Sequence, residues 1–379
     1  MSDPPIKNVL PAATGMPALP ANASVSSSGP STSGLASERM IDALRGFAAL
    51  LVAYFHCRQI SWIGMEAFHR YHMPLWHPGA IAAWLTLPVA WGSAGVPIFF
   101  VISGYCIHRS SASRLMANPD YRLDNGEFLL RRFVRIYPAL LAALVLTLVA
   151  DSISLSLFPV SHKILSIGPR AFLVNLFSLQ GVAGRTFGSN GALWTLAIEV
   201  QFYLFYPLVF ALRRRFSMNT VMVFIAIINV ASAFALQRHG IIVFPSYWIS
   251  WMLGAWIAEA RLRGRTGFPF AYTTAAVLGA AGCGAYHFGQ FGAFQLWSIA
   301  FACFFFKALS QPWPKFAIGN LVMEGLTKIG EFSYSLYLIH LPLFVLICSL
   351  LFRSVLQFSI WPSFVLTLSM VPIAWVFWF

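Results

Sequence analysis

"MIDALRGFAALLVAYFHC", residues 40–57, is apolar and long enough to cross a bilayer, yet it carries Arg45 and His56. An ionisable group at membrane depth costs a few kcal/mol or more, so it persists where it faces a cavity, pairs with another group or works. On an α-helix of 3.6 residues per turn, the steps from Arg45 to His56 make about three turns. Both residues therefore fall on one face, roughly 16 Å apart, and are expected to share one wall of a cavity. Asp42, three residues before Arg45, is placed to pair with its guanidinium.

The remainder of the chain has the same character. Of 379 residues, 58% are hydrophobic and only 10% charged, with a mean hydropathy of +0.71, which leaves too little polar surface for a soluble globule. The apolar runs have helical length, roughly 20 residues, and lack the ten-residue alternation of barrel strands. The expected fold is all-α, a polytopic integral membrane bundle of about ten transmembrane helices. The spans are placed near 41–58, 91–108, 138–158, 193–212, 220–237, 241–258, 271–287, 291–309, 332–352 and 361–379.

The net charge of +13 is carried by short clusters between the spans, which suits topology control and gives no reason to expect a nucleic-acid partner. With the amino terminus in the cytoplasm, most of the 25 Lys and Arg fall on the cytoplasmic side, as the positive-inside bias requires. The other side receives Arg58, Arg70, Lys163, Arg170, Arg185, Arg238 and Arg353. Reading "GAIAAWLTLPVAW" (79–91) as a further span would reverse every later loop, so it is expected as an outer-side interfacial or re-entrant piece. Residues 1–38, rich in Pro, Ser, Ala and Gly, read as a disordered cytoplasmic tail without the apolar centre of a cleaved signal. Residues 39–379 then form one membrane domain. Cys57, Cys106, Cys283, Cys303 and Cys348 lie scattered in apolar segments without a CxxC pair, so neither a disulfide framework nor a metal site is expected.

Four further stretches carry polar groups. "GALWTLAIEVQFYLFYPLVFAL" places Glu199 inside an apolar run, followed by Tyr203. Counting along its span puts Glu199 in the outer half, level with His56, where a carboxylate orients an imidazole and raises its basicity. A structural glutamate bonded to a neighbouring aromatic or backbone group is the alternative. "FLLRRFVRIYPAL" sets Arg132 and Arg135 on one helical face at the cytoplasmic mouth. Two forked guanidiniums there suit a polyanionic ligand and equally a stop-transfer cluster on lipid phosphates. "GSAGVPIFFVISGYCI" offers Ser103, Gly104 and Tyr105, where glycine permits close approach of a ligand or another helix. "GEFSYSLYLIHLPLFVL" aligns Ser333, Tyr337 and His340 on one face.

Taken in order, "IDALRGFAALLVAYFH", "GVPIFFVISGY", "RRFVRIYP", "LWTLAIEVQFYLFYP" and "GEFSYSLYLIHLP" resemble acyltransferase family three, membrane O-acyltransferases that modify bacterial surface polysaccharides, O-antigen and Nod factors. The resemblance covers roughly residues 40–345. It implies that Arg45 and His56 are the family's Arg, ten residues, His signature with a catalytic histidine. It also implies that Arg132 and Arg135 are the Arg-x-x-Arg element associated with the acyl donor, and that Ser103, Gly104 and Tyr105 are its Ser-Gly-Tyr/Phe element. Glu199 matches the first of two adjacent acids in the family pattern, the second position here being Val200. The hydrolase-like domain fused to some members does not follow in these residues, which leaves room for a separate extracytoplasmic partner protein.

The resulting expectation is a bacterial inner-membrane enzyme with acetyl-CoA or another short acyl-CoA as donor, held at Arg45, Arg132, Arg135, Ser103 and Gly104. A carbohydrate hydroxyl is the acceptor, His56 and Glu199 are catalytic, and Tyr203, Tyr337 and His340 support them. A transporter or flippase of a lipid-linked saccharide is the rival class, since buried Arg, His and Glu are ordinary there too.

Overall fold

In a bilayer no water satisfies backbone N–H and C=O groups, so each apolar run closes its hydrogen bonds internally as a helix. The computed structural model describes residues 32–62, 70, 72, 74, 76–157, 163–312, 317–352 and 360–379. In chain order the helices are α1 (Thr32–Ser61), α2 (Pro78–Leu85), α3 (Gly95–Ala117), α4 (Asn125–Ser156), α5 (Pro169–Leu176), α6 (Leu193–Arg215), α7 (Met218–Ala235), α8 (Trp248–Leu262), α9 (Ala271–Ala285), α10 (Gln290–Ala308), α11 (Ala317–Glu331), α12 (Ser333–Phe352) and α13 (Trp361–Trp378). Among the described residues, 8 helical stretches are long and apolar enough to cross a membrane. The protein is a polytopic helical membrane protein.

Each expected span overlaps a helix, and eight of the ten fall on these crossing-length stretches. The spans at 241–258 and 271–287 are the short ones, because α8 and α9 have 15 residues each. A 3-10 turn, Phe244–Tyr247, leads into α8. The stretch 79–91 is no single crossing helix: α2 stops at Thr86 and a 3-10 segment, Leu87–Ala94, kinks at Trp91 before α3 begins. Most of the expected tail lies outside the described residues, but its end does not. α1 already starts at Thr32, ahead of the expected boundary, and Arg39 two turns on is held by α11: its side chain pairs with Glu324 at 3.3 Å and its carbonyl accepts from Thr327 Oγ1 at 3.3 Å.

Outward faces are apolar, as lipid contact allows: Leu141, Val145, Leu148 and Val149 line one side of α4, and Val223, Phe224 and Ile227 one side of α7. Inward, α1 packs against α3, α11, α12 and α13. Glycine permits the tightest crossings, since a Cβ on Gly104 of α3 would overlap the Trp251 carbonyl of α8 and one on Gly254 of α8 the Val101 carbonyl of α3.

Proline shapes the loop above α12. Pro342 has no N–H, so the Leu338 carbonyl loses its helical donor. Asn190 Nδ2 takes that carbonyl at 2.8 Å and also bonds Thr147 Oγ1 at 3.2 Å. Asp151, fully buried at the end of α4, accepts from Ser189 N at 2.7 Å and Ser189 Oγ at 2.6 Å. The segment before α6 is thereby pinned onto α4 and α12.

Candidate active site

α1 and α12 carry the two ends of the site. On α1, Arg45 Nη1 donates to Asp42 Oδ1 at 2.9 Å, as the spacing anticipates, and Nη2 reaches Cys106 Sγ of α3 at 3.3 Å. Arg45 lines a cavity of about 180 Å³ together with Arg132 and Arg135 of α4. The Arg132 guanidinium lies 5.5 Å from the Phe128 ring centre and 5.8 Å from that of Tyr203, while its Nε is buried without a hydrogen-bond partner. Neighbouring Arg131 points elsewhere and pairs with Glu127.

Glu199 of α6 lines the same cavity, where its Oε1 accepts from Ser103 Oγ at 3.0 Å and from the Tyr203 hydroxyl. This corrects the expected depth. Thr195 bonds the Tyr337 hydroxyl at 2.6 Å, so Glu199, one turn further along α6, falls at the arginine end and does not meet His56. Two other carboxylates are buried in helices. Asp151 and Glu259 are 0% and 2% exposed, and Glu259 accepts from His108 Nε2 at 3.0 Å, Arg213 Nε at 2.5 Å and Arg263 Nη2 at 2.7 Å. Gly104 stands outside the cavity, at the helix crossing with α8.

His56 also departs from expectation, because it does not line the cavity with Arg45. Toward His56 the cavity is lined by Val96, Phe99, Thr195 and Tyr337. Phe99 and Tyr337 meet edge to face with ring centres 5.6 Å apart, and the Tyr337 ring is 5.8 Å from that of His340. Beyond this aromatic partition, His56 Nδ1 lies 2.8 Å from His340 Nε2, with the rings stacked at 5.1 Å.

The partners assign the protons. His340 Nδ1 lies 3.1 Å from the Leu336 carbonyl, which only accepts, so Nδ1 carries hydrogen and Nε2 of the neutral ring is bare. His56 Nδ1 must then donate to it, which leaves His56 Nε2 with its lone pair free. His340 is fully buried, whereas His56 keeps accessible surface. Such a pair can hold an imidazole in one tautomer as a proton acceptor, the task expected of Glu199. The i, i+4, i+7 alignment of Ser333, Tyr337 and His340 was the sequence signal for this face of α12, although it did not identify the partner. Cys106, Thr195 and Phe99 are cavity residues that lie inside the quoted stretches without having been singled out there. Among the described residues no group of His, Cys, Asp and Glu is arranged to hold a metal ion.

Fold and site together define a multi-pass helical membrane protein with a cationic intramembrane cavity and a paired-imidazole centre beyond it. The chain belongs to the acyltransferase domain family, whose model matches residues 39–379. It is 27% identical over 331 residues to the O-acetyltransferase OatA of Staphylococcus aureus strain NCTC 8325, an alignment covering 76% of this chain and 50% of that protein. The figures for OatA of strain MRSA252 are the same. An uncharacterized protein of Haemophilus influenzae is 34% identical over 121 residues, which cover 30% of this chain and 48% of that one. The chain spans about half the length of the curated relatives it matches. No solved structure matches it.

Proposed function

We propose that this protein is an O-acyltransferase of the bacterial inner membrane that moves an acetyl or other short acyl group from cytoplasmic acyl-CoA to a carbohydrate hydroxyl on the opposite side. The observation that carries the reading is one helix, α1, holding Arg45 in the cationic cavity and His56 in the imidazole pair roughly 16 Å away. Arg132 and Arg135 have no carboxylate in ion-pair range among the described residues, and Arg132 Nε is buried and unsatisfied. That arrangement suits a phosphate-bearing ligand. Acyl-CoA supplies the activated acyl group as a thioester.

In this reading Arg132 and Arg135 hold the phosphates, Arg45 is steadied beside them by Asp42, and the pantetheine arm extends along α1 toward Tyr337. His56 Nε2 takes the proton of the acceptor hydroxyl as its oxygen attacks the acyl carbon, and the proton passes to the departing thiolate. His340 is a positioning residue that keeps Nδ1–H of His56 engaged. Glu199, bonded to Ser103 and Tyr203, shapes the donor cavity rather than the base.

The test is acyl transfer from radiolabelled acetyl-CoA by purified full-length protein. His56→Ala should abolish transfer while CoA still binds, and Arg132→Ala should weaken CoA binding. Wild-type transfer by the His56 variant would eliminate the proposed base.

A further inference from the structure

One stripe of α3 runs along the cavity. Val96, Phe99, Ser103 and Cys106 recur at helical spacing and all line it. Cys106 meets Arg45 and Ser103 meets Glu199 at the cationic end, so Val96 and Phe99 stand at the end toward the imidazole pair. There the rings form a continuous row, with centres 5.6 Å apart from Phe99 to Tyr337, 5.8 Å from Tyr337 to His340 and 5.1 Å from His340 to His56.

Phe99 and Tyr337 are held differently. The Tyr337 hydroxyl donates to the Ala192 carbonyl at 3.2 Å and lies 2.6 Å from Thr195 Oγ1, so this ring is fixed to the start of α6. Phe99 has no polar anchor, and its side chain is only half-buried, with the cavity on one side. Its backbone, in contrast, has no room to retreat. A Cβ on Gly95, one turn before, would lie 2.6 Å from Val52 Cγ2 and 2.9 Å from the Ala48 carbonyl oxygen of α1, and one on Gly104, five residues after, would overlap the Trp251 carbonyl of α8. α3 is thus pressed onto a neighbouring helix on either side of Phe99. Close-packed helices do not part for a few methylene groups, so a group entering this end of the cavity must be accommodated by rotation of the Phe99 ring. A wall of this kind discriminates by roughly tenfold or more for a single methylene.

We propose that Phe99 is the residue that determines the length of the acyl group. The thioester end of the donor lodges against its ring, an acetyl-sized group fits there and passes toward His56 as the ring turns from Tyr337, and chains of several carbons are excluded. This rests on acyl-CoA being the ligand of the cavity.

Titration of full-length protein in nanodiscs with two unreactive thioethers, S-ethyl-CoA and S-hexyl-CoA, tests it. Wild type should bind S-ethyl-CoA roughly tenfold or more tighter than S-hexyl-CoA. Phe99→Leu should shrink that ratio and Phe99→Ala should bring it near one, chiefly by strengthening S-hexyl-CoA, while affinity for CoA itself holds. Phe304→Ala removes a ring that packs on Tyr272 and Phe301 outside the cavity lining and should leave the ratio as in wild type. The proposal falls if wild type binds the two thioethers equally, if the ratio survives both Phe99 variants, or if Phe304→Ala erases it as well, which marks a general loosening of the bundle. If CoA binds and chain length makes no difference, the donor site stands and this inference alone fails; if neither CoA nor a thioether binds, the donor site fails with it.

Discussion

His56 owes its free nitrogen to a chain of acceptors that ends at the Leu336 carbonyl, and the chain makes His340 separable from His56 by experiment. Replacing His340 by Ala removes the acceptor for His56 Nδ1–H, so the ring can rotate and exchange tautomers. Single-turnover acyl transfer should fall roughly 100-fold, within the range that a positioned base contributes, while CoA affinity stays near wild type. His340→Gln, with an amide oxygen available near the Nε2 position, should recover much of the rate; a merely structural role would move thermal stability and donor binding together. The Arg45–Asp42 pair was legible in the sequence because both residues lie on one helix, where spacing is geometry, whereas the cavity wall expected to join Arg45 to His56 is not found. Nor was the partner of His56 legible. Counting residues inward from a span end gives depth only if every helix starts at the same level, and α6 starts at the level of Tyr337, which moves Glu199 to the arginines.

Elements were read more completely than contacts, since hydropathy over a span reports burial in lipid and says nothing about which helix lies opposite. Gly104 illustrates the gap, because its sequence context fitted ligand approach and helix packing equally, and the Trp251 carbonyl decides for packing. Gly104→Ala forces a methyl group onto that carbonyl, and a backbone shift of this kind costs about 1–3 kcal/mol. The variant should melt at lower temperature in detergent and bind CoA more weakly, because the adjacent Ser103 holds Glu199 at the cavity wall. A melting temperature equal to wild type would contradict the tight crossing. α11 escaped the sequence reading for another reason. Ile318, Leu321 and Val322 face outward while Glu324 and Thr327 hold Arg39 of α1, so its 15 residues average to moderate hydropathy and resemble a loop. The Glu259 cluster was equally hidden, since its partners His108 and Arg213 come from α3 and α6.

Across the molecule the charges divide the labour: Arg132 and Arg135, without carboxylate ion-pair partners among the described residues, at one mouth, an imidazole pair beyond Phe99 and Tyr337, and Arg58 at the far end. A positive-inside anchor and a donor site both place arginines at 132 and 135, and ionic strength distinguishes them. Surface cations on lipid phosphates are screened within a Debye length of about 8 Å at physiological salt, and removing them leaves ligand affinity untouched. Partly buried cations that hold a polyanionic donor act on the affinity itself. CoA binding by wild-type protein should therefore weaken steadily as salt rises. Arg132→Gln with Arg135→Gln should lose roughly tenfold or more at low salt, since two charge-assisted contacts disappear, and should respond less steeply to added salt. His56→Ala, beyond the Tyr337 partition, should retain both the wild-type affinity and its salt slope. Titration calorimetry at three ionic strengths measures all of these, and an unchanged slope in the arginine variant would reduce Arg132 and Arg135 to topological anchors and leave the donor without a site.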